Sequence, residues 1–279
     1  MAVDASANFV TSFDAMVKHA FQGASKLRGT VRTKTGVVGS THKFPIMGKG
    51  IASARTPQTD VTPMNVDHST ATATLSDWVA AEYSDVYDLS KLNFDERKEL
   101  AFIVAQAMGR RLDQLILDAM DTSANATQVG INVGGTNSSL TVEKILEASR
   151  RMNALGVPSA DRHFAISARS LEGALLETQI GSSDFNVVKA LAMGELNTWG
   201  GFQFHVIEDR TEGGVPISST TRNNFAYHRD AVGLAIGIDM RTETNYIPEK
   251  TSTLITGMFS GGAVTIDTNG VFDVLTYEA

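Results

Sequence analysis

The chain has 279 residues, 42% of them hydrophobic and 20% charged, with no cysteine. This excludes a disordered polyelectrolyte, disulfides, thiolate zinc sites, iron–sulfur clusters and a cysteine nucleophile. The net charge of -7 is uneven: residues 1–56 hold eight basic side chains against Asp4 and Asp14, a net +6, which leaves -13 for the rest. A basic arm on an acidic body suits a chain that lies on another copy of itself. Contact with nucleic acid, or a solvated basic face, are the other readings. The longest apolar run, Ala231–Ile238, is far too short to cross a bilayer, and the N-terminus lacks the basic start and apolar block of a signal peptide.

Phe9, Val10, Phe13, Met16, Val17, Ala20 and Phe21 recur at helical spacing, and Gly23 ends that helix. Val31, Thr33, Thr35 and Val37 alternate with polar residues, as do Thr70, Thr72 and Thr74 with Ala71, Ala73 and Leu75. Both stretches predict strands, and together they predict a long hairpin with an irregular tip between them. An isolated two-stranded ribbon is marginal in water, so this one needs a neighbouring subunit. Asn93 and Glu96 form a capping box. From there Leu100, Ile103, Val104, Ala107, Leu112, Leu115, Ile116 and Ala119 keep helical spacing to about Met120. A helix of roughly 27 residues is about 40 Å long, and Gly109 within it predicts a close backbone contact.

Residues 123–140 read as a loop with a weak strand at 129–133. A helix starts at Thr141, with Val142, Ile145, Leu146, Ser149 and Met152 on one side, and Gly156 and Pro158 stop it. A strand follows at His163–Ile166, then a helix capped by Ser167 and another from about Asp184 to Met193. Further strands are predicted at Phe202–Ile207, Phe225–His228, Thr251–Phe259, Ala263–Asp267 and Val271–Tyr277, with Asn269–Gly270 as a hairpin turn.

A search for chemistry returns little. The six histidines lack the spacing of a metalloprotease helix or zinc finger. No glycine run stands after a strand and opens a helix, as a phosphate cradle requires. There is no Gly-x-Ser-x-Gly elbow, and no aromatics interleave with basic residues. These patterns name no catalytic, cofactor-binding or metal-binding residue, and the arm and ribbon cannot bury themselves within one subunit.

This order of elements resembles the major capsid proteins of tailed bacteriophages, the Hong Kong 97-type coat-protein fold. The resemblance runs through Thr74-Leu75-Ser76-Asp77-Trp78, Asp85-Val86-Tyr87-Asp88-Leu89, Met108-Gly109-Arg110-Arg111-Leu112-Asp113 and Phe225-Ala226-Tyr227-His228-Arg229-Asp230-Ala231-Val232. It implies an α+β fold with an N-terminal arm (1–29), an extended β-hairpin loop (30–75), a peripheral domain (76–139 and 236–279) with a spine helix over 94–120, and an axial domain (140–235). The implied assembly contacts are Lys34, Lys43, Phe44, Ile46, Met47, Lys49 and Arg55, and the implied spine core is Leu100, Ile103, Val104, Leu112, Leu115 and Ile116. It further implies a protein that is no enzyme and needs no cofactor. Its role would be to form hexamers and pentamers of an icosahedral head in the host cytoplasm. Its partners would be itself, a separate scaffolding protein, a portal protein and double-stranded DNA held non-specifically, with no membrane. An encapsulin-like compartment shares that fold. A soluble α/β enzyme with a dispersed site and a tail-tube protein are the other classes, and the long mid-chain helix weighs against the tube.

Overall fold

A computed structural model describes residues 24–61, 63–89, 91, 95–122, 128–176, 198–210 and 212–278. The predicted helices over 9–21 and 184–193, and the predicted cap Asn93, lie outside these residues.

The first sheet is built on β12 (Ser252–Thr265), a single 14-residue strand. Along one edge of β12 lie β10 (Val232–Ile236) and β11 (Arg241–Ile247), and along the other lies β4 (Ser76–Asp85). Sequence reasoning split β12 at Gly261–Gly262 and passed over β4 and β11. Those glycines are packing devices: a Cβ at Gly262 would collide with the Thr74 carbonyl. The segment over 31–37 does form a strand, β1 (Arg32–Thr35), but it pairs in parallel with β10 and is no arm of the hairpin. The hairpin is β2 (Thr41–Met47) against β3 (His68–Thr74), so its first strand lies in what read as the irregular tip.

A short helix, α1 (Val86–Leu89), leads from β4 toward the spine helix α2 (Glu96–Asp121). The Asp95 carboxylate caps α2 at the Lys98 amide, two residues after the predicted cap. Glu96 accepts a hydrogen bond from Ser84 of β4, so it ties helix to sheet. α2 crosses β12 where Gly257 leaves room: a Cβ there would lie 2.5 Å from Val104 Cγ1. Gly109 makes the predicted close contact, with Ser25.

The second sheet has the order β13 (Val271–Tyr277), β9 (Thr221–His228), β5 (Arg162–Ser167), β7 (Phe202–Ile207) and β6 (Thr198–Trp199), with β8 (Ile217–Ser218) on β9. β13 therefore leaves the segment 236–279 that was grouped with the spine helix. No hairpin turn forms at Asn269–Gly270, because β12 and β13 belong to different sheets. A 3-10 turn over Thr268–Gly270 joins them, and Gly270 is required by the Ala231 Cβ, 2.5 Å from where its own would sit.

Strand alternation gives this sheet two buried faces. Phe164 and Ile166 of β5 join Val142, Ile145, Ala148 and Met152 of helix α3 (Val142–Ala154), with Phe202 and Phe272. Ala165, Phe225 and Tyr227 face the other way, into the core under α2. On α3 the register differs from expectation: Leu146 is exposed, and Lys144 is buried, donating to the carbonyls of Ser138 and Ser139. Helix α4 (Ala168–Leu176) follows β5, with Ser167 Oγ capping the Ser170 amide as the sequence predicts.

Candidate assembly surface

The hairpin is fastened at its root. Phe44 and Ala73 are buried against Ala235, with Val37, Leu75, Val264 and Ile266 around them. Gly233 makes the seat, since a Cβ there would come within 2.7 Å of the Phe44 ring. Burial of this kind stabilises the root by about 2–3 kcal/mol for the phenylalanine alone. Phe44 is therefore no free assembly contact; residues of the first sheet and its flanks, in the same chain, already cover it.

Beyond the root the hairpin has little apolar support. Met47, Ile51, Val61 and Met64 are exposed, Ile51 and Val61 at 85%. Lys43, Lys49 and Arg55 are exposed and Ile46 is half-buried. Lys49 reaches the body, where Nζ donates to the Leu155 carbonyl at 3.0 Å. Lys34 is exposed but belongs to β1, which pairs with β10 and is no strand of the hairpin. The structure thus gathers Lys43, Met47, Lys49 and Arg55 on one projecting ribbon and separates Lys34 and Phe44 from them.

The spine helix shows the opposite economy. Val104, Leu112 and Ile116 are buried, together with Met108, Leu117 and Met120, which sequence reasoning passed over. Leu100 and Leu115 are half-buried. Ile103 is 39% exposed and is no core residue. The buried row steps by four from Val104 through Met108, Leu112 and Ile116 to Met120, and Ile103 falls on its flank.

Asp113, fully buried on α2, holds the root of the N-terminal arm. Its carboxylate accepts from Ser25 Oγ at 2.8 Å, from the Lys26 amide at 2.8 Å and from the Leu27 amide at 3.0 Å. The buried Arg210 guanidinium pairs with it at 3.2 Å. Lys26 continues across the second sheet, donating to the Val206 carbonyl. A buried carboxylate with four donors is a satisfied one. Its signal in the sequence was an acidic residue on the apolar stripe of a helix. On the other side of α2, the Arg111 guanidinium stacks over the Trp78 ring at 3.7 Å.

A second buried polar cluster joins Ser167, Ser170, Asn224, Thr276 and Glu278. Burial pushes the Glu278 carboxyl up. Hydrogen bonds from Ser167, Arg222 and Ser170 outweigh that, and they hold it below the usual carboxylate range. Ser167 thus donates to a carboxylate kept charged and weakly basic, which makes it a fastening between β5 and Glu278. Among the described residues no group of three or more histidines and carboxylates could hold a metal ion.

The family model for phage capsid protein matches residues 5–278. The chain belongs to the phage capsid protein family. No curated protein matches it by sequence. Its fold is similar to the capsid structure of the cyanophage P-SCSP1u, with a TM-score of 0.74 at 16% identity over 98% of this chain and 94% of that one. It is similar to the head structure of Helicobacter pylori bacteriophage KHP40, with a TM-score of 0.73 at 12% identity over 99% and 97%. The capsid of Ralstonia phage GP4 gives 0.73 at 11% identity over 98% and 96%. The phage capsid protein described here thus has the α+β Hong Kong 97-type fold. It is a major capsid protein, a structural component of the virion shell and not an enzyme.

Proposed function

We propose that this capsid protein forms hexamers and pentamers of an icosahedral head around double-stranded DNA, with its hairpin lying across the adjacent subunit. The observation that carries this reading is the hairpin itself: a root sealed by Phe44 and Ala73, and a tip that exposes Met47, Ile51, Val61 and Met64. A tip with that much bare apolar surface needs a partner surface. The basic hairpin and arm, net +6 over residues 1–56, suit the neighbour's acidic body. Individual exposed pairs contribute about 0–1 kcal/mol each, but a shell repeats them many times, so the apolar tip and the repeated pairs act together.

In this reading residues 1–29 are the arm and the hairpin within 30–75 is the extended loop. The spine helix and first sheet make the peripheral domain. Residues 140–235, joined by β13, make the axial domain. A separate scaffolding protein directs assembly in the bacterial cytoplasm, and a portal protein occupies one vertex. The acidic body leaves DNA loosely held.

Electron microscopy of the purified protein, alone and with its scaffold, tests this. Closed shells or ring-shaped hexamers and pentamers are the expected result. Uniform small particles across a range of salt, with scaffold present, would overturn it.

A further inference from the structure

We propose that the free edge of β3 in one copy adds to the free edge of β4 in the next, so that neighbouring subunits share a sheet. This rests on the assembly reading above and names the backbone surface that carries it.

In an antiparallel pair, residues alternate between those whose backbone groups face the partner and those facing away. In the hairpin, the Gly48 amide donates to the Asp67 carbonyl and the Leu75 amide to the Ser40 carbonyl, each at 2.8 Å, and these bonds set the phase. With Thr41 opposite Thr74 and Met47 opposite His68, the backbone of His68, Thr70 and Thr72 faces away from β2. On β2 the outward residues are Thr41, Lys43, Pro45 and Met47. Pro45 has no amide, and a proline in an edge strand blocks further pairing. One edge of the hairpin is therefore closed. The β3 edge has neither proline nor charge from Ser69 to Thr74, and Thr70 and Thr72 are exposed.

The same reasoning applies to β4. The Val86 amide donates to the Thr251 carbonyl at 3.3 Å, which continues the register of Asp85 opposite Ser252. Asp77, Val79, Ala81 and Tyr83 then face away from β12. The Tyr83 amide turns to the side chain of its own neighbour Glu82, at 3.3 Å, as an amide without a strand partner does. β4 runs for ten residues without a proline, and Val79 is 67% exposed. Among the described residues no backbone group pairs with either free edge. Long unprotected edges are sites of strand addition, and soluble proteins normally block them. This chain blocks β2 and leaves β3 and β4 open.

Charge selects the pairing. β4 carries Asp77, Glu82 and Asp85, whereas β2, beside β3, carries Lys43. Lys250, bonded to the Tyr83 hydroxyl, is a cation at the far end of β4. The hairpin over 41–74 holds Lys43, Lys49 and Arg55 against Asp60 and Asp67, a net +1, so the acidic edge of β4 meets it without repulsion, while β4 against β4 sets like charges together. Two different edges also make a head-to-tail contact, which closes rings, where a self-complementary edge would stop at a dimer.

Two sets of variants test this under conditions where the wild-type protein assembles. Thr70→Pro and Ala81→Pro each remove an outward amide and leave the hydrogen bonds to β2 and β12 in place. Both are expected to melt as the wild type does and to assemble at least tenfold less. Thr41→Pro, on the edge already closed, is expected to assemble normally. The chain has no cysteine, so engineered pairs report without background. Thr70→Cys or Thr72→Cys is combined with Val79→Cys, Ala81→Cys or Tyr83→Cys in the full chain, and assembled particles are oxidised. At least one pair is expected to give a ladder of linked chains on a denaturing gel. Normal assembly of both proline variants, or shells in which no pair crosslinks, would overturn strand addition and leave the shell reading standing. A wild type that forms neither rings nor shells would remove both.

Discussion

The spine helix buries Val104, Met108, Leu112, Ile116 and Met120 within its own chain, whereas the hairpin buries Phe44 and Ala73 and leaves Met47, Ile51, Val61 and Met64 to solvent. Both regions carry several large apolar side chains. They differ in where those side chains find partners. The helix lies in the angle between two sheets and finds them at home. The hairpin is seated on the first sheet at its root, and past that root Met47, Ile51, Val61 and Met64 stay exposed while Lys49 reaches the body, at the Leu155 carbonyl. Residues that look alike in composition therefore serve folding in one region and association in the other.

The largest expected effects set the two regions against each other. Ile116→Asp puts a carboxylate at a fully buried position and should cost about 4 kcal/mol or more, so that the protein is recovered insoluble. Replacing residues 50–65 by a short Gly-Ser turn should abolish shells equally well, yet leave the subunit soluble with its melting temperature nearly unchanged. Gel filtration and thermal melting of the two variants separate the causes. A tip deletion that lowers the melting temperature as far as Ile116→Asp does would erase the distinction. Leu115→Asp, at a half-buried position, should cost less than Ile116→Asp, and Ile103→Asp should cost least.

Asp113→Ala comes next. It removes the acceptor for Ser25, Lys26 and Leu27 and leaves the buried Arg210 without its Asp113 partner. Breaking one side of a buried pair costs about 3–5 kcal/mol. Urea unfolding should show that loss, and hydrogen exchange should show residues 25–30 opening first. Phe44→Ala should cost about 3 kcal/mol, confined to the hairpin: exchange should rise across β2 and β3 while α2 stays protected. Uniform loss of protection would mean that the hairpin root and the body form one cooperative unit.

Much of the body was legible in the sequence because its signals are local. The start of α3 at Thr141, the capping of α4 by Ser167, the strand at Phe202–Ile207 and the length of α2 each follow from a few neighbouring residues. What was missed depends on distant partners. β1 has clear strand alternation, but nothing in Arg32–Thr35 says that its partner is Gly233–Ile236. Gly261 and Gly262 read as a break but lie within one strand, and the Thr74 carbonyl that requires Gly262 comes from nearly two hundred residues away. Asn269–Gly270 carries a strong turn signal, yet sheet membership overrode it. On the hairpin, Met47 and Lys49 are exposed, while Phe44, which the sequence groups with them, is seated at Gly233. Asp113 was visible only as an acid on an apolar stripe, and its donors lie 86 to 97 residues away.

The smallest predicted effect separates the regions by pH. His163 Nδ1 and His205 Nε2 lie 3.1 Å apart on β5 and β7, so one ring donates and the other accepts, and both are neutral. Burial, then the neighbouring His205, pushes the His163 imidazole down to about 4 from an ordinary 6.5, with Asp161 opposing and Arg229 and His228 adding to the shift. Burial and then Lys26 lower His205 as well, against Asp113. In the unfolded chain these rings take up protons near pH 6.5. Between about 6.5 and 4 the unfolded state therefore binds more protons than the folded one, and stability falls as pH falls. Stability present at pH 7 is lost across that window, on the order of 2 kcal/mol for His163. His163→Gln keeps a donor and an acceptor beside His205 without titrating, and should flatten the fall by about that amount in urea unfolding measured from pH 7 to 4.5. Exchange should place the acid loss in β5, β7 and the passing arm root at Lys26. An equal pH slope in the variant would mean that His163 takes up its proton as readily in the folded protein as in the unfolded chain, and that the acid response of the body arises elsewhere.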